Sequence, residues 1–100
     1  MKNIYFPLGT ILLSRSVGDL VAIDTLFTQF IVSLLNRHNS LDWGDCCEED
    51  IDGNNLALRN GSRLFSVYSI PKPLLISEPK VWIITEADRT YTTVLFPSEY

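Results

Sequence analysis

Val81-Trp82-Ile83-Ile84-Thr85-Glu86-Ala87-Asp88-Arg89-Thr90-Tyr91-Thr92-Thr93-Val94-Leu95-Phe96 sets two runs rich in β-branched and aromatic residues on either side of a short polar turn. Such residues suit a pleated, half-buried surface, so the stretch predicts an antiparallel hairpin of strands 81–85 and 91–96. Upstream, Leu64, Ser66, Tyr68 and Ile70 alternate with Phe65, Val67 and Ser69, which predicts a further strand, apolar on both faces near its middle. Pro71, Pro73 and Pro79 make the intervening segment too proline-rich for helix. The three strands are expected to form an antiparallel meander, and the run Ile11-Leu12-Leu13, after a Pro7-Leu8-Gly9 turn, is a candidate for a fourth.

Between these strands the periodicity is helical. Ser16, with Asp19 at capping-box spacing, predicts a short helix to about Ala22. Asp24 can cap a second, in which Leu26, Phe27, Phe30, Ile31, Leu34 and Leu35 form one apolar face that ends near Arg37 and His38. Asp45, with Glu48 three residues on, predicts the start of a third, which stops at Gly61. The expected fold is a single α+β domain over residues 1–100, a three- or four-stranded antiparallel sheet with about three helices packed on one face.

Composition narrows the function classes. The formal net charge is -4, and six of the twelve acids, Asp42, Asp45, Glu48, Glu49, Asp50 and Asp52, fall within eleven residues. Phosphate binding draws on clustered Lys and Arg, whereas the eight here are scattered, so direct nucleic-acid binding is disfavoured. Cys46 and Cys47 are adjacent, which strains a mutual disulfide, and His38 alone cannot complete a zinc site, so neither a metal nor another cofactor is expected. With no leader pattern, the cysteine usage predicts a reducing cytoplasm. Arg15, Asp19 and Asp24 break the apolar N-terminal third before the roughly 18 apolar residues that a membrane span needs.

Each candidate site has a structural alternative. His38 with Asp42 and Asp45 could hold a metal or run acid–base chemistry, yet both aspartates also suit a turn and a helix cap. Trp43 is either a core anchor or an interface hot spot, with the core the more frequent fate of a large aromatic. The acidic run from Asp42 to Asp52 either solvates a helix start or steers a basic protein surface. Glu86, Asp88 and Arg89 either pair within a hairpin tip or present the Arg89 fork to a carboxylate or phosphate. The cysteines at a helix start have no nearby base, and the carboxylates around them oppose a thiolate.

His38, Asp42-Trp43-Gly44-Asp45, Glu49-Asp50, Asn55-Leu56-Ala57-Leu58, the run from Trp82 to Arg89, Thr92-Thr93-Val94-Leu95 and Pro97-Ser98-Glu99-Tyr100 together resemble a family of small uncharacterised proteins of bacterial plasmids and integrative conjugative elements. The resemblance spans residues 6–100 and is most specific in the C-terminal half; the segment from Pro71 to Pro79 departs from the short glycine turn usual there. Such proteins are sometimes loosely labelled restriction-modification subunits, but a hundred residues with no S-adenosylmethionine or catalytic motif cannot be a methyltransferase subunit. The resemblance implies the company of mobile DNA and no reaction. The expectation is a non-enzymatic accessory protein that binds another protein, such as a host restriction, CRISPR or DNA-processing component. Its expected contact residues are Asp42, Trp43, Asp45, Glu48, Glu49, Glu86, Asp88 and Arg89. A small hydrolase or ligand-binding enzyme using His38, Asp42, Asp45 and Arg89 would need the four to converge on one pocket, and a structural homodimer would close an apolar sheet face.

Overall fold

The computed structural model describes residues 4–100. Four strands, β1 (Thr10–Leu13), β2 (Leu64–Ser69), β3 (Lys80–Thr85) and β4 (Tyr91–Leu95), and three helices, α1 (Arg15–Ile23), α2 (Thr25–His38) and α3 (Glu48–Asn60), follow the order β1-α1-α2-α3-β2-β3-β4. The sheet order is β1-β4-β3-β2, with β2, β3 and β4 forming the antiparallel meander. β1 joins the sheet but runs parallel to β4, a pairing that requires a long connection, which the three helices together with β2 and β3 supply. Gly9 makes this junction possible. At φ 66° a Cβ there would overlap the Thr90 carbonyl, against which the chain turns before Thr10 donates to Thr90 at 3.0 Å.

Alternation divides the sheet into two faces. Leu64, Ser66, Tyr68, Val81, Ile83, Thr85, Thr92 and Val94 point to one face and are almost wholly buried. α1 and α2 cover this face with Val17, Phe27, Ile31 and Leu34. A second cluster joins Phe6, Trp43 and Ala57 of α3 to Leu64. On the other face Ile84 and Leu95 are buried, while Phe65 and Trp82 are partly open.

The helix boundaries show which caps act. Asp24 caps α2 as expected, accepting from the Phe27 amide at 3.0 Å. α1 is capped by Ser14 instead of Ser16, because the Ser14 hydroxyl serves Val17 N–H at 3.4 Å and donates to Glu99 Oε1 at 2.6 Å. α3 starts after Cys47, which makes no side-chain cap bond; Asp45, expected in that role, turns to Ser69 and Lys80 instead. Gly61 ends α3 in the left-handed region at φ 75°, as its position implied.

Candidate functional site

The expected site residues separate into structural members and surface members. His38 is one of the most deeply buried side chains, at 0% exposure, on the last turn of α2. Nδ1 lies 2.5 Å from Ser66 Oγ, and Nε2 lies 2.9 Å from Thr85 Oγ1. Thr85 Oγ1 is 2.7 Å from Thr92 Oγ1, which in turn donates to the Leu8 carbonyl at 2.7 Å. The carbonyl end fixes the direction of the whole chain. Thr92 gives its proton to Leu8, so Thr85 donates to Thr92 and His38 donates to Thr85 from Nε2. Burial, helped by the positive charge of Arg89, holds the His38 pKa down at about 3, so the ring is neutral at ordinary pH and Nδ1, which then carries no proton, accepts from Ser66.

The Asp42-Trp43-Gly44-Asp45 loop is sewn to the outer edge of β2. Val67 N–H donates to Trp43 O at 3.2 Å, and Asp45 N–H donates to Val67 O at 2.6 Å. Gly44 stands at φ 70°, and a Cβ there would overlap the Val67 carbonyl and the Tyr68 ring. Trp43 is 5% exposed, contacts His38 edge-on and lies parallel to Phe6. The core alternative thus describes Trp43, and its role as a partner-contact residue is corrected: its indole is enclosed between Phe6 and His38.

Asp42 pairs with Arg37 at 2.7 Å, and its carbonyl accepts from the Tyr68 hydroxyl at 2.6 Å. Asp45 pairs with Lys80 at 3.0 Å, and its carboxyl is held below its ordinary pKa by the Ser69 hydroxyl and by Lys80. Arg89, at φ 61°, folds back on the hairpin tip. Its guanidinium donates to the carbonyls of Ser62 at 2.6 Å, Glu86 at 3.0 Å and Ala57 at 3.2 Å. A free fork for a carboxylate or phosphate is therefore corrected to a clamp between hairpin and helix. Asp88 accepts from Thr90 N–H and hydroxyl, which lowers its carboxyl pKa. Glu86, Ala87, Asp88 and Tyr91 line a shallow depression of about 240 Å³.

These partners dissolve the four-residue pocket required by the enzyme alternative. His38 is committed to Ser66 and Thr85, Asp42 to Arg37, Asp45 to Ser69 and Lys80, and Arg89 to main-chain carbonyls. Among the described residues no group of three His, Cys, Asp or Glu is placed to hold a metal. Burial pushes the Cys46 thiol pKa up, against the thiolate that nucleophilic chemistry needs. Among the described residues no helix is long and apolar enough to cross a membrane.

A larger groove lies beside α3. With a volume of about 440 Å³, it runs between Glu49, Asp50 and Gly53 of α3 and the second face of the sheet, where Phe65, Trp82 and Tyr100 supply the aromatic surface. Trp82 is central: its ring meets Phe65 edge-on at 5.2 Å and Tyr100 at 5.4 Å. Arg63 lies at the Tyr100 end, with a guanidinium nitrogen 3.4 Å from the Tyr100 hydroxyl. Glu49 was among the expected contact residues; Trp82, Phe65 and Tyr100 were not. The signal for Phe65 and Trp82 was the strand alternation, which sets both opposite the helix-covered face, but their proximity depends on the β2–β3 register, in which Val67 faces Trp82 and Phe65 faces Ile84. Compared with protein-family models, curated proteins and solved structures, the chain matches none.

Proposed function

We propose that this chain is a non-enzymatic accessory protein of mobile genetic elements that acts by binding another protein, a component of host restriction, CRISPR or DNA processing. The observation that carries protein binding is the groove itself, an aromatic surface of Phe65, Trp82 and Tyr100 bordered by the acidic first turn of α3. Tyr100 is 69% exposed, and Trp and Tyr in a concave site give much contact area for little ordering cost. Glu48, Glu49, Asp50 and Asp52 are all exposed and supply the steering field. The setting and the class of partner rest on the resemblance of the C-terminal half and the Asp42 to Asp45 loop to proteins of conjugative elements.

The test is affinity capture of the tagged protein from a bacterium with active restriction and CRISPR systems, beside a Trp82→Ala, Tyr100→Ala variant. One stoichiometric partner held by the native bait and lost by the variant is the expected result. A partner held equally by both baits would remove the groove from the interaction, and an empty native bait would end the protein-binding reading.

A structural homodimer is the second reading, favoured by β1. This strand lies at one end of the sheet and leaves Ile11, Leu12 and Leu13 between 37% and 43% exposed. A concentration-independent monomer in sedimentation equilibrium eliminates it.

A further inference from the structure

We infer that the groove between α3 and the second face of the sheet receives an arginine or lysine side chain of the protein partner, with its aliphatic stem over Trp82 and its charged head at Glu49 and Asp50. The inference rests on the protein-binding reading and specifies its chemistry.

The lining distinguishes among possible occupants. A wholly apolar side chain would cover the rings of Phe65, Trp82 and Tyr100 but would strip water from Glu49 and Asp50 without replacing it. An anionic one would meet the same two carboxylates at close range. A long cationic side chain satisfies both parts, because its methylenes lie on apolar surface while the head stays with the carboxylates, and a cation near an aromatic face gains further attraction.

The acidic wall is also available. Among the described residues the two ion pairs are Arg37–Asp42 and Lys80–Asp45, so the flanking loop has its charges matched and the groove carboxylates take part in neither pair. Arg63, the cation that lines the groove, is turned to the Tyr100 hydroxyl and marks the opposite end. The incoming charge is therefore directed toward α3 and away from Arg63. Gly53 adds room on the helix side, where a Cβ would meet nothing within 4 Å.

The experiment is a titration of the ¹⁵N-labelled protein with an amidated octapeptide of alternating arginine and valine, beside the same peptide with glutamate replacing arginine. The two indole N–H signals report separately, since Trp43 is enclosed in the core and Trp82 lines the groove. The expected result is a saturable shift of Trp82 with the arginine peptide only, an unmoved Trp43, and binding weakened at least fivefold in a Glu49→Gln, Asp50→Asn variant. An unchanged Trp43 signal certifies that this variant is folded, and Trp82→Leu gives a second, uncharged test, with Tyr100 amide shifts as its readout. A Trp82 signal that ignores the arginine peptide, or follows both peptides equally, overturns the inference. Capture of a Trp82-dependent partner beside an unmoved Trp82 signal overturns the cationic occupant while leaving protein binding standing.

Discussion

Arg89 donates at 3.2 Å to the carbonyl oxygen of Ala57, so the tip of the β3–β4 hairpin closes the last turn of α3. The Ala57 carbonyl already accepts from the Gly61 N–H at 2.9 Å, and the cationic fork adds a charge that suits the negative end of the helix. The same guanidinium reaches Ser62 just beyond the helix and Glu86 within its own turn, which ties three segments together.

Replacing Arg89 by alanine removes those bonds and leaves a non-glycine residue at φ 61°. The expected cost is about 1–3 kcal/mol, from charged hydrogen bonds in a partly exposed setting. Arg89→Gly loses the same bonds but relieves the left-handed backbone, so it is expected to be about 1 kcal/mol more stable than Arg89→Ala. Urea unfolding of the two variants checks the order. An alanine variant as stable as the glycine one would show that the turn carries no backbone strain.

His38 gives the fold a defined acid sensitivity. Its folded pKa of about 3 lies below the ordinary value of 6.5, because burial, followed by Arg89, opposes the charged form. Above pH 6.5 the ring is neutral whether the chain is folded or not, and no stability is lost. As pH falls below 6.5 the unfolded chain takes up a proton that the folded chain refuses, so stability drops at up to about 1.4 kcal/mol per pH unit until the folded ring itself titrates. Between pH 6.5 and 5, above the carboxylate range, the loss is expected to reach about 2 kcal/mol. Chemical denaturation across that window measures it. A His38→Gln variant is expected to start less stable but lose the slope; an unchanged slope would place the titrating group elsewhere.

The hydroxyl chain makes a sharper statement about the same ring. Because Leu8 accepts from Thr92, His38 must carry its proton on Nε2. Long-range ¹H–¹⁵N correlation at neutral pH reads the tautomer, and a proton on Nδ1 would refute the assigned direction. Thr85→Val and Thr92→Val are each expected to cost about 1–3 kcal/mol by leaving buried donors or acceptors without partners. Their double variant should cost less than the sum, since one broken chain cannot be broken twice.

The parts of this fold that were legible were those with local causes. Asp24 as a cap, Gly61 as a stop and the alternation that sets Val81, Ile83 and Thr85 on one face all follow from neighbours within a turn or a strand. The misread features have partners far along the chain. Ser14 outcompetes Ser16 as the α1 cap through Glu99, and Asp45 leaves the α3 cap for Ser69 and Lys80. The parallel direction of β1 belongs to the path of the whole connection and leaves no mark on Ile11, Leu12 or Leu13. The same distance effect governed the site. Acidic residues announce themselves in sequence, whereas the aromatic surface forms only when β2 and β3 pair and bring Phe65 to Trp82, and Tyr100 returns to the same ring.

Asn54 carries the last prediction, because it substitutes for a strand at the exposed side of the sheet. β2 is an edge strand, yet the Phe65 N–H donates to Asn54 Oδ1 at 3.0 Å and the Phe65 carbonyl accepts from Asn54 Nδ2 at 2.6 Å. One side-chain amide thus reproduces the two bonds that a neighbouring strand would make, while the Asp42 to Asp45 loop does the same for Val67 one step along. Asn54→Ala leaves the Phe65 N–H without its partner and the Phe65 carbonyl with only the weak Cys46 thiol donor at 3.4 Å, at a site where Asn54 itself is 4% exposed, and a cost of about 2 kcal/mol is expected. Asn54→Asp keeps the acceptor but sets a carboxylate against the Phe65 carbonyl, so it should be at least as damaging at neutral pH. Hydrogen exchange at the Phe65 amide, with unfolding curves for both variants, is the deciding measurement. Protection that survives in Asn54→Ala would mean that α3 shields this edge by packing alone.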